Sequence, residues 1–361
     1  MLDINCPATL GEAWYLKHWQ IFVLYAYGEE NFKMSPLEIW GRLIEEIVMD
    51  VFSATFKHFE GLRTHNKSEE ISKELGDILF WFLGFANHLF VDLEALLIIK
   101  YISRPGDKEH AFCTKCGFSS CICDLNSDNE NKLAKNIVKK ELLDLAEKRK
   151  NQVTHDLNIY LRDRILVLNK YTNYIRQKKS RETKIDEYLA KNISTLESYI
   201  LSNNVFYTSD EAYLSKLGYD DPSSIKKLIE FINDNRRSFI EWINTFCTIY
   251  ERTNKYRSLE YFYIHMLKDL GTLQRKMRIL QSTNKSYWIY DQDRSILTLS
   301  EIGYYKEIIN RLVSAFAWFL SIIKIQTEGK PIEMFRAICR DDGYRSRIER
   351  IIRERHLPKK R

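Results

Sequence analysis

Residues 69–94 read EEISKELGDILFWFLGFANHLFVDLE, and the fold class turns on them. Leu75, Ile78, Leu79, Phe82, Leu83, Phe85, Ala86 and Leu89 recur at three- and four-residue intervals, which is the stripe of a buried helix. Glu74 and Asp77 stand three apart beside that stripe, so a helix brings both carboxylates to one face. Residues 40–56 form a second helical pattern with its own acids, Glu45, Glu46 and Asp50. Glu46 and Asp50 are about one turn apart. Two helices that each offer carboxylates to a shared interior can hold a hard divalent cation such as Mg²⁺ through oxygen ligands. The plainer alternative is that acids in a first turn only favour the helix dipole.

Working outward, the chain has 361 residues, enough for two or three domains. It carries only 13 Gly and 6 Pro, so few breakers interrupt the long helical patterns. No Gly-rich nucleotide loop, P-loop or nucleophile elbow occurs. The expected class is all-α. The first thirty residues lack a basic start followed by an apolar run, and no stretch offers ~20 uninterrupted apolar residues. A cytoplasmic protein without a membrane span is expected.

The motif order resembles the MazG-like nucleoside triphosphate pyrophosphohydrolases. Glu74-Leu75-Gly76-Asp77 and the apolar run after it are similar to that family's ExxD helix, and Ile44-Glu45-Glu46-Ile47 to its EExxE helix. Lys100 and Arg104 stand where the family has a Lys-x-x-x-Arg segment facing phosphates. The resemblance implies an all-helical, Mg²⁺-dependent enzyme that cuts a nucleoside triphosphate to monophosphate and pyrophosphate. It makes Glu46, Asp50, Glu74 and Asp77 the Mg²⁺ ligands and Glu45 or Glu46 the group that orients or deprotonates water. Lys100 and Arg104 would face the departing pyrophosphate. The chain departs from the pattern in two places. Met49 stands where the first helix has its third acid, with Asp50 one residue late, and Leu97 replaces a usual Asn. On a regular helix Asp50 is rotated ~100° from the position it would have to fill.

The chain also resembles itself. Residues 263–280, YIHMLKDLGTLQRKMRIL, align with the first motif helix so that Lys268-Asp269 fall on Glu45-Glu46. Residues 308–323, IINRLVSAFAWFLSII, align with the second, so that Trp318 falls on Trp81, Arg311 on Glu74 and Ser314 on Asp77. The apolar frame persists while the acids of the second motif helix are lost. The expected architecture is therefore a duplicated MazG-like bundle, packed as an internal pseudo-dimer or a homo-oligomer. In the second copy Lys268 and Arg311 would bind or block phosphates.

Cys113, Cys116, Cys121 and Cys123 fall within eleven residues as C-x₂-C-x₄-C-x-C, a set suited to a structural Zn²⁺. A redox pair or an iron–sulfur cluster are the rival uses. The expected division is a MazG-like domain over 1–108, a four-cysteine zinc-knuckle-like linker over 109–130, a helical middle region over 131–254, a degenerate repeat over 255–335 and a basic tail over 336–361. The tail's ten Lys/Arg less four Asp/Glu equal the whole chain's net charge of +6, so nucleic acid is a possible partner there. Two other functions are open. One is a non-catalytic protein of this fold that senses nucleotide or acts as a scaffold for a partner. The other is a HEPN-type ribonuclease using Arg149 and His155.

Overall fold

The computed structural model describes residues 14–53, 55, 67–102, 111–123, 140–178, 197, 200, 222–255, 257–283 and 299–355. Every regular element among them is helical: α1 (Leu16–Asn31), α2 (Pro36–Glu45), a π-helical segment (Glu46–Phe52), α3 (Lys67–His88), α4 (Leu93–Tyr101), α5 (Lys140–Lys178), α6 (Pro222–Asp234), α7 (Phe239–Asn254), α8 (Leu259–Thr283), α9 (Leu299–Gln326), α10 (Ile332–Arg340) and α11 (Asp342–Arg355). Strand pairing among the described residues is limited to two isolated bridges, Tyr15 with Ser238 and Ile102 with Ala111. The all-α expectation holds.

Helix α3 sits at the centre. All eight residues of its apolar stripe are buried, and it packs on α1, α2, α9 and α10. Helices α8 and α9 form a long antiparallel hairpin that meets the α2–α3 pair side on. Phe82 of α3 lies 5.3 Å from both Phe316 and Phe319 of α9, centroid to centroid, and Trp40 Nε1 donates to the Leu270 carbonyl of α8 at 3.1 Å. Local signals set where the helices begin. Ser35 and Glu38 exchange hydrogen bonds with each other's backbone N–H, and Pro36 takes the first position of α2. Ser238 and Glu241 repeat the device at the start of α7. The sequence suggests one helix over 225–250; the chain instead breaks between Asp234 and Phe239.

That break has a tertiary cause. Asp92 and Glu94, at the sharp turn between α3 and α4, are fully buried. Arg236 donates to Asp92 Oδ2 at 2.7 Å and to Glu94 Oε2 at 2.9 Å, while the Arg237 N–H donates to Glu94 Oε1 at 2.7 Å. The connection stays open because its guanidinium and backbone N–H satisfy two buried charges. Residues 336–355 are likewise no solvated tail. They form the end of α10 and all of α11, with Ile338, Ile348 and Ile351 buried. Gly76 of the ELGD motif makes room for this packing, since a Cβ there would lie 2.8 Å from Ile338 Cγ1 and Cδ1. The segment Gly303–Gln326 of α9 is long and apolar enough to cross a bilayer, but 67% of its most apolar window is buried within the protein.

Candidate metal and anion sites

The first motif helix changes its hydrogen-bonding register at the acids. The α-helix ends at Glu45, and Glu46–Phe52 is π-helical. A π turn accommodates one extra residue, so Asp50 comes round to the face that a regular helix would give to residue 49. Met49 is turned outward, at 65% exposure. As a result one carboxylate oxygen from each of Glu46, Asp50 and Glu74 lies within 4.8 Å of the others.

Electrostatics follow from this crowding. Burial raises the Glu46 carboxyl to about 7, with a hydrogen bond from Trp81 opposing and Asp77, Asp50 and Glu74 adding to the rise. Trp81 Nε1 donates to Glu46 Oε1 at 3.2 Å. Glu74 is raised by burial and then by Asp77 and Asp50. Among the described residues no Lys or Arg is ion-paired with Glu46, Asp50 or Glu74. Such a cluster is a set of hard oxygen donors in need of positive charge.

The remaining expected residues are placed as follows. Asp77 lies next to the cluster but accepts a hydrogen bond from the Tyr344 hydroxyl of α11. Glu45 is exposed and bridges Arg42 at 2.9 Å, turned from the cluster. Lys100 is half-buried and donates to the Asn310 carbonyl at 3.1 Å and to Ser314 Oγ at 2.9 Å, so it serves the α9 side of the molecule rather than the acids. Arg104 lies outside the described residues. The cations beside Asp77 are ones that no sequence pattern singles out: Lys73, one residue before Glu74, and Arg347 of α11. With Tyr27, Tyr344 and Asp341 they line a cavity of about 280 Å³.

The aligned positions of the second half hold a matching pair of opposite character. Trp318 Nε1 donates to Asp269 Oδ2 at 3.2 Å, as Trp81 does to Glu46. Arg311, aligned with Glu74, donates to Asp269 Oδ1 at 2.7 Å. Here the carboxylate is neutralised by an internal cation.

The four cysteine sulfurs also lie within 4.8 Å of one another, with Cys113 and Cys123 3.8 Å apart. A tetrahedral Zn²⁺ with Zn–S bonds of about 2.3 Å separates its sulfurs by ~3.8 Å, so the set fits that ion. The Cys123 N–H donates to Cys121 Sγ at 3.5 Å. Bonding to Cys113 is the main influence that pushes the Cys116 thiol down and the Cys121 and Cys123 thiols up. Gly117 has φ +82° and packs against the backbone of Ala146, where a Cβ would come within 2.7 Å of the Ala146 Cα. Arg149 is buried and donates to the Gly117 carbonyl at 3.0 Å, whereas His155 is exposed. Arg149 thereby fastens the cysteine loop to α5.

Comparison with protein-family models, curated proteins and solved structures finds no match to this chain.

Proposed function

We propose that this protein is a Mg²⁺-dependent nucleotide pyrophosphohydrolase of MazG-like type, built from a duplicated helical unit of which the first copy carries the chemistry. The observation that carries the reading is the convergence of Glu46, Asp50 and Glu74 through a π turn that repairs the register of Asp50. The repeated Trp–carboxylate bond, Trp81 to Glu46 and Trp318 to Asp269, supports the duplication. Glu46, Asp50 and Glu74 would hold Mg²⁺, with Asp77 as a further oxygen donor once Tyr344 turns aside. The ion would supply charge neutralisation at the phosphates and a more acidic bound water. Trp81 fixes the Glu46 carboxyl in orientation. Lys73 and Arg347, beside Asp77, take the phosphate-facing role that the sequence assigned to Lys100 and Arg104, and the rings of Tyr27 and Tyr344 wall the same cavity. The substrate is an NTP or dNTP. Cys113, Cys116, Cys121 and Cys123 would hold a structural Zn²⁺ whose four thiolates leave no position open for water.

The test is pyrophosphate release by the full chain with Mg²⁺, screened over ordinary and modified NTPs and dNTPs. Release that is lost in Glu74→Gln, with the helical content unchanged, is expected. Release that survives Glu74→Gln overturns the site. A second reading, a protein that binds nucleotide without cutting it, draws on the Tyr344–Asp77 hydrogen bond, which occupies one of the acids. Nucleotide binding by folded, zinc-loaded protein with no release would select it.

A further inference from the structure

A cavity of about 250 Å³ lies where the second half meets the cysteine loop, and none of its lining residues belongs to the acidic cluster or to the proposed reaction. One wall is a stripe running up to and along α8, formed by Arg257, Tyr261, His265 and Asp269 at four-residue spacing. Arg311 and Trp318 of α9 form the second wall, and Lys115, between the first two cysteines, overhangs from the third.

Its charge is the reverse of the acidic cluster's. Asp269 is the single carboxylate among the described lining residues, and its two oxygens are already taken by Arg311 and Trp318. Lys115, Arg257 and Arg311 line the space, and Lys100 lies behind it with its amine on Ser314. Four cations against one carboxylate give 4 − 1 = +3. A Zn²⁺ held by the four thiolates, of net charge −2, would still leave the cavity positive. The Arg257 guanidinium lies over the Tyr261 ring at 4.5 Å and over the Trp318 ring at 5.9 Å, which orders it at the wall. Thr114, Ser314 and Ser321 add polar lining, although the Ser314 and Ser321 hydroxyls already donate to the Asn310 and Ala317 carbonyls. The volume is below the ~300 Å³ at which pockets for drug-sized ligands begin, so the occupant is compact.

We propose that this cavity is a metal-independent binding site for a small phosphate anion, held by Arg257, Arg311 and Lys115 where the first half uses carboxylates and a cation. Planar guanidinium groups pair with phosphate oxygens through two parallel hydrogen bonds, and an ordered Arg loses little freedom in doing so. The same chemistry is offered by free pyrophosphate and by the phosphate of a nucleotide. The proposal needs no turnover at the first site.

Titration calorimetry on the full, zinc-loaded chain without added divalent cation tests it, with inorganic pyrophosphate and AMP as separate probes. Binding of at least one probe is expected, weakened tenfold or more by Lys115→Glu and by Arg257→Met and unchanged by Glu74→Gln. Tighter binding of pyrophosphate assigns the free anion; tighter binding of AMP assigns the nucleotide. Lys115 is exposed, so its substitution leaves the fold intact even where Arg257→Met unsettles the ring stack. Absence of binding by either probe overturns the proposal. So does affinity that Lys115→Glu leaves unchanged, or that Glu74→Gln removes.

Discussion

The Glu46–Trp81 pair of the first half and the Asp269–Trp318 pair of the second share one frame and differ in one charge. In both, an indole N–H fixes a carboxylate at 3.2 Å between two packed helices. Beside Glu46 stands a second acid, Glu74; at the aligned place beside Asp269 stands Arg311. The difference shows how little sequence separates a carboxylate crowded by other acids from one paired with an internal cation. In both places the apolar residues form the core, while the polar residues at its edge differ in sign.

Exchanging that one charge is the sharpest way to break the comparison. Glu74→Arg should copy the second half's pair onto Glu46, remove Mg²⁺-dependent stabilisation in thermal melts and lower any pyrophosphate release by ~10²-fold or more. Mg²⁺ dependence that survives the change would show that the cluster is not the cation site. Another pair of acids, Asp92 and Glu94, is buried and bridged by Arg236, so Arg236→Met should cost about 3–5 kcal/mol in urea unfolding. A loss below ~1 kcal/mol would mean that water reaches those carboxylates.

Lys100 sharpens the comparison through pH. It belongs to the first half and serves the second, where burial lowers it to about 8, with Asp269 raising and Arg311 lowering it further. A Lys whose folded pKa lies below its unfolded value of 10.5 binds fewer protons when folded, so its contribution to stability rises between about pH 8 and 10.5. Melting temperatures of the wild type relative to Lys100→Met should climb across that window; a flat difference would mean that the folded amine keeps its ordinary pKa. In the second half, Arg311→Glu should cost ~1 kcal/mol, the size of a partly exposed ion pair, and should introduce stabilisation by Mg²⁺ that the wild-type second half lacks. The smallest effect belongs to Tyr344→Phe. It removes the hydrogen bond to Asp77 at a cost of about 0.5–1.5 kcal/mol and should tighten Mg²⁺ binding at the acids, read from Trp81 fluorescence. Unchanged affinity would mean that Asp77 takes no part in holding the ion.

Several elements of this arrangement were legible in the sequence. The stripe from Leu75 to Leu89 marked the central helix, and the spacing of four cysteines marked the thiolate cluster. Glu46 and Glu74 were identified because short-range spacing on a helix is a local property. Lys100 and Glu45 were placed with them on motif order alone, and motif order does not say which way a side chain leaves its helix. Lys73 and Arg347 went unnoticed because one is an ordinary surface lysine by pattern and the other sits in a run of charges that reads as a tail.

Local spacing therefore fixes the periodic part: the all-helical class, the buried faces and the side-chain clusters drawn from neighbouring residues. Hydrophobic spacing and cysteine spacing act within one or two helical turns, where the chain leaves few alternatives. Only the tertiary structure decided that the backbone widens into a π turn at Glu46 and that α11 comes back to cover Asp77. It also sent Lys100 across to the second half and opened the connection at Arg236 to meet Asp92 and Glu94. Each of these is a choice between locally similar conformations, settled by burial and charge pairing between segments far apart in the chain.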